Sequence, residues 1–226
     1  MSIYEKILNL PLFKGLSTEA LERFVTKTPI SFYKCKEGDL IAQPGLRCDS
    51  VRFVLGGNIR TEKVVMDGTL SVIEYLGEGS MLGADRLYGI DTHYAEKVIA
   101  AENCSIMEFS KKYFINLLRE DQLILINYLN YLSKEAQKNL FFLKDCDIKS
   151  KINKLKFILT ALTVKNALKV NIFTNSLPLF EFLGYDNNKE FISSIGVLLG
   201  KGVIDVLGDN QIQINSRREV LDFVES

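Results

Sequence analysis

Glycine divides this chain into two regimes. Nine of its 15 glycines lie between Gly38 and Gly89, and none lies between Ser110 and Gly184. In the first stretch they punctuate short β-branched or aromatic runs: Asp39–Ile41, Ser50–Leu55, Asn58–Val65, Leu70–Tyr75 and Val98–Phe109. Many short strands separated by glycine turns build a barrel or a jelly-roll sandwich. Met66-Asp67-Gly68-Thr69, between Val64-Val65 and the alternating Leu70, Val72 and Ile73, reads as a hairpin turn.

Where glycine disappears, the period becomes helical. Ile126, Leu129, Ser133, Ala136, Leu140 and Leu143 recur at alternating spacings of three and four, a heptad seam with one polar member. Leu125, Tyr128 and Leu132 make a second stripe beside it. A helix with two apolar stripes can pack on its own domain and on a partner helix at once, so the seam predicts a homodimer. A helix buried wholly within one subunit is the alternative.

Ahead of the strands, Ile3 to Leu10 and a segment opened by Ser17 with Leu21, Phe24 and Val25 on one face read as a small helical lid. Beyond residue 146, Ser150 caps a helix lined by Ile152, Leu155, Leu159 and Leu162, and Ser176 with Pro178 starts a short helix that ends at Gly184. Asn187 and Glu190 open a third helix with Phe191, Ile195 and Leu198 inward. Val203 to Leu207 and Gln211 to Ile214, joined by Gly208-Asp209-Asn210, read as a β-hairpin. This is the element order of a winged helix-turn-helix. The expected fold class is therefore α+β: a double-stranded β-helix or jelly-roll sensor over 1–118, a dimerisation helix over 119–146, and a winged helix-turn-helix over 147–226.

Composition closes off other classes. With 28 basic and 28 acidic residues, any polyanion footprint must be local. No apolar run approaches the roughly 20 residues of a membrane span, and the N-terminus lacks a signal-peptide pattern, so a cytoplasmic protein is expected. Cys35, Cys48, Cys104 and Cys146 stand far apart with no C-x-x-C pair and read as free thiols; His93 is the sole histidine. No metal or cofactor is expected. G-x-S-x-G, P-loop and H-E-x-x-H motifs are absent from the sequence, which does not read as an enzyme, and Glu74 and Glu78 are placed on a strand edge or turn.

Several segments together resemble the catabolite-activator and fumarate–nitrate-type bacterial transcription regulators over essentially the whole chain: PLFKGLS at 11–17, KEGDLIAQPG at 36–45, FVLGGNIR at 53–60, DGTLSVIEYLGEGSMLG at 67–83 and AAENCSIMEFSKKYFINLL at 100–118. LPLFEFLGYDNN, LLGKGVI and the IQI strand resemble that family's reading domain more loosely. The resemblance implies a cyclic-nucleotide-binding-like sensor, a dimerisation helix, double-stranded DNA with a pseudo-palindromic operator as partner, and room for an RNA polymerase contact.

Three departures qualify it. In cyclic-nucleotide-binding members a Gly is followed by a Glu for the ribose 2′-hydroxyl, and eleven residues beyond the Gly an Arg meets the cyclic phosphate. Here Gly83 is followed by Ala84, and Tyr94 stands at the Arg position, with Ala95 next to it. An uncharged phenol cannot replace guanidinium donors, so cyclic nucleotide is not the expected effector, which is left as an unidentified small molecule. Arg86, His93 and Lys97 could serve a different anion or be solvated. The iron–sulfur signature is missing too. In the recognition helix, the positions where members usually carry two arginines and a glutamate hold Asn188, Lys189 and Ser193, with Asn187 and Ser194 alongside and Gly196 and Gly200 on the same face. Asn can pair with adenine and Lys with guanine or phosphate. Arg217 and Arg218, after the wing, are candidate phosphate contacts, and the Lys149, Lys151, Lys154, Lys156, Lys165 and Lys169 run reads as a solvated face or a phosphate track. A dimeric sensor or scaffold without specific DNA binding remains the second reading.

Overall fold

The computed structural model describes residues 2–65, 70–145, 156, 167–174, 196–207 and 211–222. The chain forms two compact units, one of residues 1–60 and 77–136, the other of 61–76 and 137–226. Among the described residues no helix is long and apolar enough to cross a membrane.

The first unit opens with α1 (Ile3–Leu8) and α2 (Thr18–Lys27). Ser2 and Glu5 cap α1 reciprocally, and the Ser17 hydroxyl accepts from the Ala20 N–H at 3.2 Å to start α2. Each helix satisfies its orphan donors and turns one apolar face inward, with Ile7, Leu21 and Phe24 buried. The strands are β1 (Ser31–Cys35), β2 (Leu40–Ala42), β3 (Ser50–Gly56), β6 (Met81–Leu82), β7 (Lys97–Ala100) and β8 (Cys104–Ser110). One sheet has the order β1-β8-β3-β6, and β2 pairs antiparallel with β7. Val51 and Phe53 on β3 and Phe109 on β8 are fully or almost fully buried, and the two phenylalanines join a chain of rings that reaches α2. Phe13 lies 4.9 Å from Phe24 and 6.2 Å from Phe53, and Phe24 lies 5.3 Å from Phe109. Lys6 adds a polar pin, donating from Nζ to the Leu55 carbonyl at 2.8 Å.

Helix α3 (Lys111–Glu120) follows β8, and α4 (Gln122–Asp145) follows α3. The Asp121 carboxylate between them accepts from the N–H groups of Leu123 and Ile124 at 2.9 and 3.1 Å, an N-terminal cap the periodicity did not reveal. Asn127 Nδ2 donates to the carbonyls of Leu12 and Lys14, holding α4 against the lid.

In the second unit, β5 (Leu70–Leu76) pairs with β9 (Lys169–Thr174), which pairs with β11 (Gln211–Ile214), which pairs with β10 (Ile204–Leu207). The strand β4 (Ile59–Val65), whose residues 61–65 belong to this unit, borders β5. Short helices α5 (Gly196–Gly200) and α6 (Arg217–Asp222) precede and follow the β10–β11 hairpin.

Expectation and structure differ at several places. Strands β1, β6 and β9 were not anticipated. The run expected as one strand from Val98 to Phe109 breaks at 101–103, where Ala101 N–H instead donates to the Asn58 carbonyl at 3.0 Å. Glu74 is not at a strand edge: β9 pairs alongside β5, and the side chain is 1% exposed. Glu78 is on a turn as expected, 3.9 Å from Lys6 Nζ. Lys156 is 8% exposed, so it does not belong to a solvated lysine face. The 66–69 turn, the expected helices at 150–194 other than Lys156, and Cys146 lie outside the described residues.

Phe13 is completely buried in the ring cluster, so truncation leaves a cavity the rigid rings cannot fill. Phe13→Ala should lower the unfolding free energy in urea, followed by circular dichroism, by about 3–5 kcal/mol. A loss below about 1 kcal/mol would mean that the lid does not pack as described.

Candidate functional site

The segment expected to meet an effector leaves β6 through Gly83, whose backbone is left-handed (φ 60°, ψ 30°), and makes a 3-10 turn at Ala84–Arg86. A Cβ at position 83 would lie 2.8 Å from Tyr94 Cε1 and 3.0 Å from Cys48 Sγ. Glycine is required there both by its torsion and by the side chains packed over it. The returning end of the segment is stitched to residues 45–48. Gly45 N–H donates to the Tyr94 carbonyl, Tyr94 N–H to the Leu46 carbonyl and Cys48 N–H to the Thr92 carbonyl, at 2.8–2.9 Å.

These bonds direct Tyr94 inward, where it is 3% exposed. Its hydroxyl, flanked by Cys48 and Arg52, makes no hydrogen bond of good geometry, and burial pushes the phenol well above its ordinary range. The Arg52 guanidinium lies over the ring, 5.9 Å from its centroid. Arg52 is already committed elsewhere. It faces Glu108 across the β3–β8 ladder, with Nη2 donating to Oε1 and Nε 3.2 Å from Oε2.

The other expected residues are equally occupied. Ala84 is buried, and its carbonyl accepts from the Tyr128 hydroxyl at 3.0 Å. The Tyr128 ring meets Phe114 edge-on at 5.0 Å and Tyr88 at 6.2 Å, and Lys111 Nζ sits 4.7 Å over the Tyr88 ring. Arg86 pairs with Asp85 at 3.3 Å and Asp91 at 3.0 Å. His93 Nδ1 lies 3.1 Å from Asp91 Oδ1, and Ala95 is exposed. Gly83, Ala84 and Tyr94 thus come together in one closed turn, while Arg86 and His93 are gathered by Asp91 at its rim. A cavity of about 280 Å³ lies elsewhere in this unit, lined by α2, α3 and the start of α4, and no residue of 83–95 lines it.

The donors here differ from the Glu and Arg that the resemblance associates with a cyclic nucleotide. Arg52 and Arg86, the guanidiniums described beside the Gly83 turn, are held by Glu108 and by Asp85 and Asp91, Ala84 has no side-chain acceptor for a 2′-hydroxyl, and the Tyr94 ring packs over Gly83. Among the described residues no three His, Cys, Asp or Glu side chains converge as metal ligands.

Reading the sequence missed Arg52, Glu108 and Cys48. A charged residue inside the apolar alternation Val51-Arg52-Phe53 was the available signal, since it must face away from the core that its neighbours fill. Tyr128 was read only as part of a packing stripe.

On α4 the two stripes separate. Of the second stripe Tyr128 is 4% exposed while Leu125 and Leu132 are half-buried, and Ile124, which belonged to neither expected stripe, is buried beside Tyr128 at 1%; Ile126 and Leu129 are 52% and 49% exposed, and Ser133 is exposed with them. Ala136, Leu140 and Leu143 continue the same helix; their side chains lie outside the described residues. So do the candidate reading residues Asn187, Asn188, Lys189, Ser193 and Ser194. The β10–β11 hairpin is present, with Asn215 Nδ2 donating to Asp205 Oδ2 at 2.7 Å beneath it. Arg217 and Arg218 begin α6, and Arg218 Nε lies 3.4 Å from Asp222 Oδ2 with its side chain 92% exposed.

Residues 33–121 match the family described as "Cyclic nucleotide-binding domain". No curated protein matches the sequence. Among solved structures, the catabolite activator protein of Thermus thermophilus is similar at 17% identity and TM-score 0.53, over 93% of this chain and 98% of that one. The sensor domain of the transcriptional regulator DNR from Pseudomonas aeruginosa is similar at 16% identity and TM-score 0.50, over 57% of this chain and 85% of that one.

Burial opposes ionisation of Glu108, but hydrogen bonds from Arg52 and Ser50 outweigh it and hold the carboxyl below its ordinary pKa of 4.5. A depressed folded-state pKa contributes stability above the unfolded value, and that contribution is lost as pH falls through the folded value. Between about pH 5 and pH 3, urea unfolding should show the wild type losing more stability than Glu108→Gln. Equal slopes would contradict the pairing.

Proposed function

We propose, for a chain whose fold resemblance to the catabolite-activator and fumarate–nitrate-type regulators rests on both sequence and structure, that it is a homodimeric DNA-binding transcription regulator. Its β-roll responds to an effector other than a cyclic nucleotide. The observation that carries this reading is the split of α4. One stripe is buried on its own unit through Ile124 and Tyr128, while Ile126 and Leu129 are left half-exposed on the other. Apolar side chains at heptad spacing on an otherwise solvated helix face are stabilised by a partner helix, and a second copy of the same helix supplies one.

The Tyr128 hydroxyl gives the two stripes a connection. Any ligand that rearranges the Gly83 turn must break or move its bond to the Ala84 carbonyl. That bond contributes about 0.5–1.5 kcal/mol, small enough for a ligand's differential affinity to overcome. Moving Tyr128 rotates the helix that carries Ile126 and Leu129, so dimer geometry responds to the sensor. The helix runs on to Asp145, ahead of the C-terminal segment that carries the hairpin. There Asn187, Asn188, Lys189, Ser193 and Ser194 are the proposed base-reading surface, with Arg217 and Arg218 on phosphates.

Leu129→Asp buries a carboxylate in the proposed seam and should give monomers in sedimentation velocity, where the wild type is a dimer. An unchanged dimer would place the interface elsewhere. Selection from random DNA should enrich a pseudo-palindrome whose half-sites are about one helical turn apart. Replacing Arg217 and Arg218 together should weaken binding to all sequences alike, with a salt slope shallower by about 0.9 per lost phosphate contact. Equal, weak binding of wild type to selected and scrambled DNA would instead favour a dimeric sensor without specific DNA reading.

A further inference from the structure

The four cysteines are scattered in sequence, yet the fold brings two of them together. Cys35 ends β1 and Cys104 begins β8, and the two are direct partners in the antiparallel register. Opposed residues of an antiparallel pair have Cα atoms about 4.5 or 5.5 Å apart, depending on the pair type. Both separations fall inside the roughly 4.4–6.8 Å that a disulfide spans, so no strand has to move for the sulfurs to join.

The surroundings hold this geometry. Behind Cys104, the backbone at Gly57 approaches so closely that a Cβ there would come within 2.9 Å of the Cys104 Cα and Cβ. In sequence the pair adjoins two exposed turns, Lys36 to Asp39 and Glu102-Asn103. These turns give a small reagent a short approach to side chains that are themselves only 8% and 4% exposed. Cys48 is different: it is fully buried beside Gly83 and Tyr94, with backbone carbonyls rather than a thiol as its neighbours.

We propose that Cys35 and Cys104 form a dithiol modification site on the β-roll, which a hydroperoxide converts to an intramolecular disulfide and a thiol reductant restores. Cys35 is the attacking sulfur, because it is the more exposed of the two and the first that a reagent meets. Burial raises both thiols, Cys104 to about 11, with Asp39 near both and Glu102 near Cys104 adding to it. Reaction is consequently slower than at an activated catalytic cysteine.

In the first step the Cys35 thiolate attacks the peroxide and an S–O bond forms. The O–O bond breaks and the leaving alkoxide takes a proton, so Cys35 becomes a sulfenic acid and the peroxide is reduced to an alcohol. In the second step the Cys104 thiolate attacks the Cys35 sulfur: the S–S bond forms, the S–O bond breaks, and hydroxide leaves and is protonated to water. Two thiols and one hydroperoxide yield one disulfide, one alcohol and one water. The inference is independent of the regulatory reading.

The test uses the full chain, treated with hydrogen peroxide while folded, then unfolded in denaturant containing N-ethylmaleimide, and digested without reductant for mass spectrometry. The expected product is the Cys35 peptide linked to the Cys104 peptide, two hydrogens lighter than their sum, with Cys48 and Cys146 alkylated and the link lost after phosphine treatment. In Cys104→Ser the link should vanish and a sulfenic acid at Cys35 should be trapped by dimedone. Alkylation of both Cys35 and Cys104 after peroxide, a sulfinic acid at Cys35 in the wild type, or a link from either residue to Cys48 or Cys146 would overturn the proposal.

Discussion

Tyr94 packs over a glycine that has no room for a side chain, and the rest of the sensing segment is arranged around that contact. The left-handed Gly83 starts the turn, the backbone bonds of residues 45–48 to 92–94 deliver the phenol inward, and Arg52 lies over its ring while bound to Glu108. An Arg at position 94 would face Arg52 in a low-dielectric site, where like charges repel strongly unless an anion lies between them. With Tyr there, the site is neutral and closed, and no anion is needed to hold it together. The side chain that stands where the resemblance places a phosphate ligand therefore packs the turn itself.

Closure of the segment matters beyond its own residues because Ala84 is held by Tyr128, a residue of the long helix. A buried carbonyl that loses its donor costs about 1–3 kcal/mol, so the turn and the helix favour moving together over separating. The aromatic contacts of Tyr128 with Phe114 and Tyr88 stiffen the joint, and Asn127, one residue earlier, fastens the helix to the N-terminal lid. Lid, sensing turn and helix thus meet within a single turn of α4. On the opposite face of that turn, Ile126 and Leu129 are left half-exposed.

Much of this was legible in the residues. Glycine spacing and two-residue alternation located β3, β4 and β5, because these carry regular apolar positions bounded by turns. The heptad spacing of α4 put Ile126 and Leu129 on an exposed side and Tyr128 on a buried one, but it passed over Ile124, which is buried where Leu125 and Leu132 are only half-buried. What was not legible has physical reasons. The strand Lys169–Thr174 alternates only weakly, and its identity comes from the partners on either side, β5 and β11. Residues Met81-Leu82 are too few to have a period. Glu74 looked like an edge residue because a carboxylate in a strand is normally solvated, and its burial is decided by a strand almost a hundred residues away. The substitution at Tyr94 was visible as a missing guanidinium, but its occupation of the space over Gly83 required the backbone bonds that turn it inward. The pairing of Cys35 with Cys104 could not be read at all, since the register between β1 and β8 is a tertiary fact.

The central claim is that Tyr94 closes the sensing turn and leaves no phosphate ligand in it. Isothermal titration of the full chain with cyclic AMP and with cyclic GMP tests this directly. The account predicts no binding tighter than about 0.1 mM, near −5.5 kcal/mol, for either nucleotide. A micromolar dissociation constant for either one would contradict it, and would require Tyr94 to leave its buried position over Gly83.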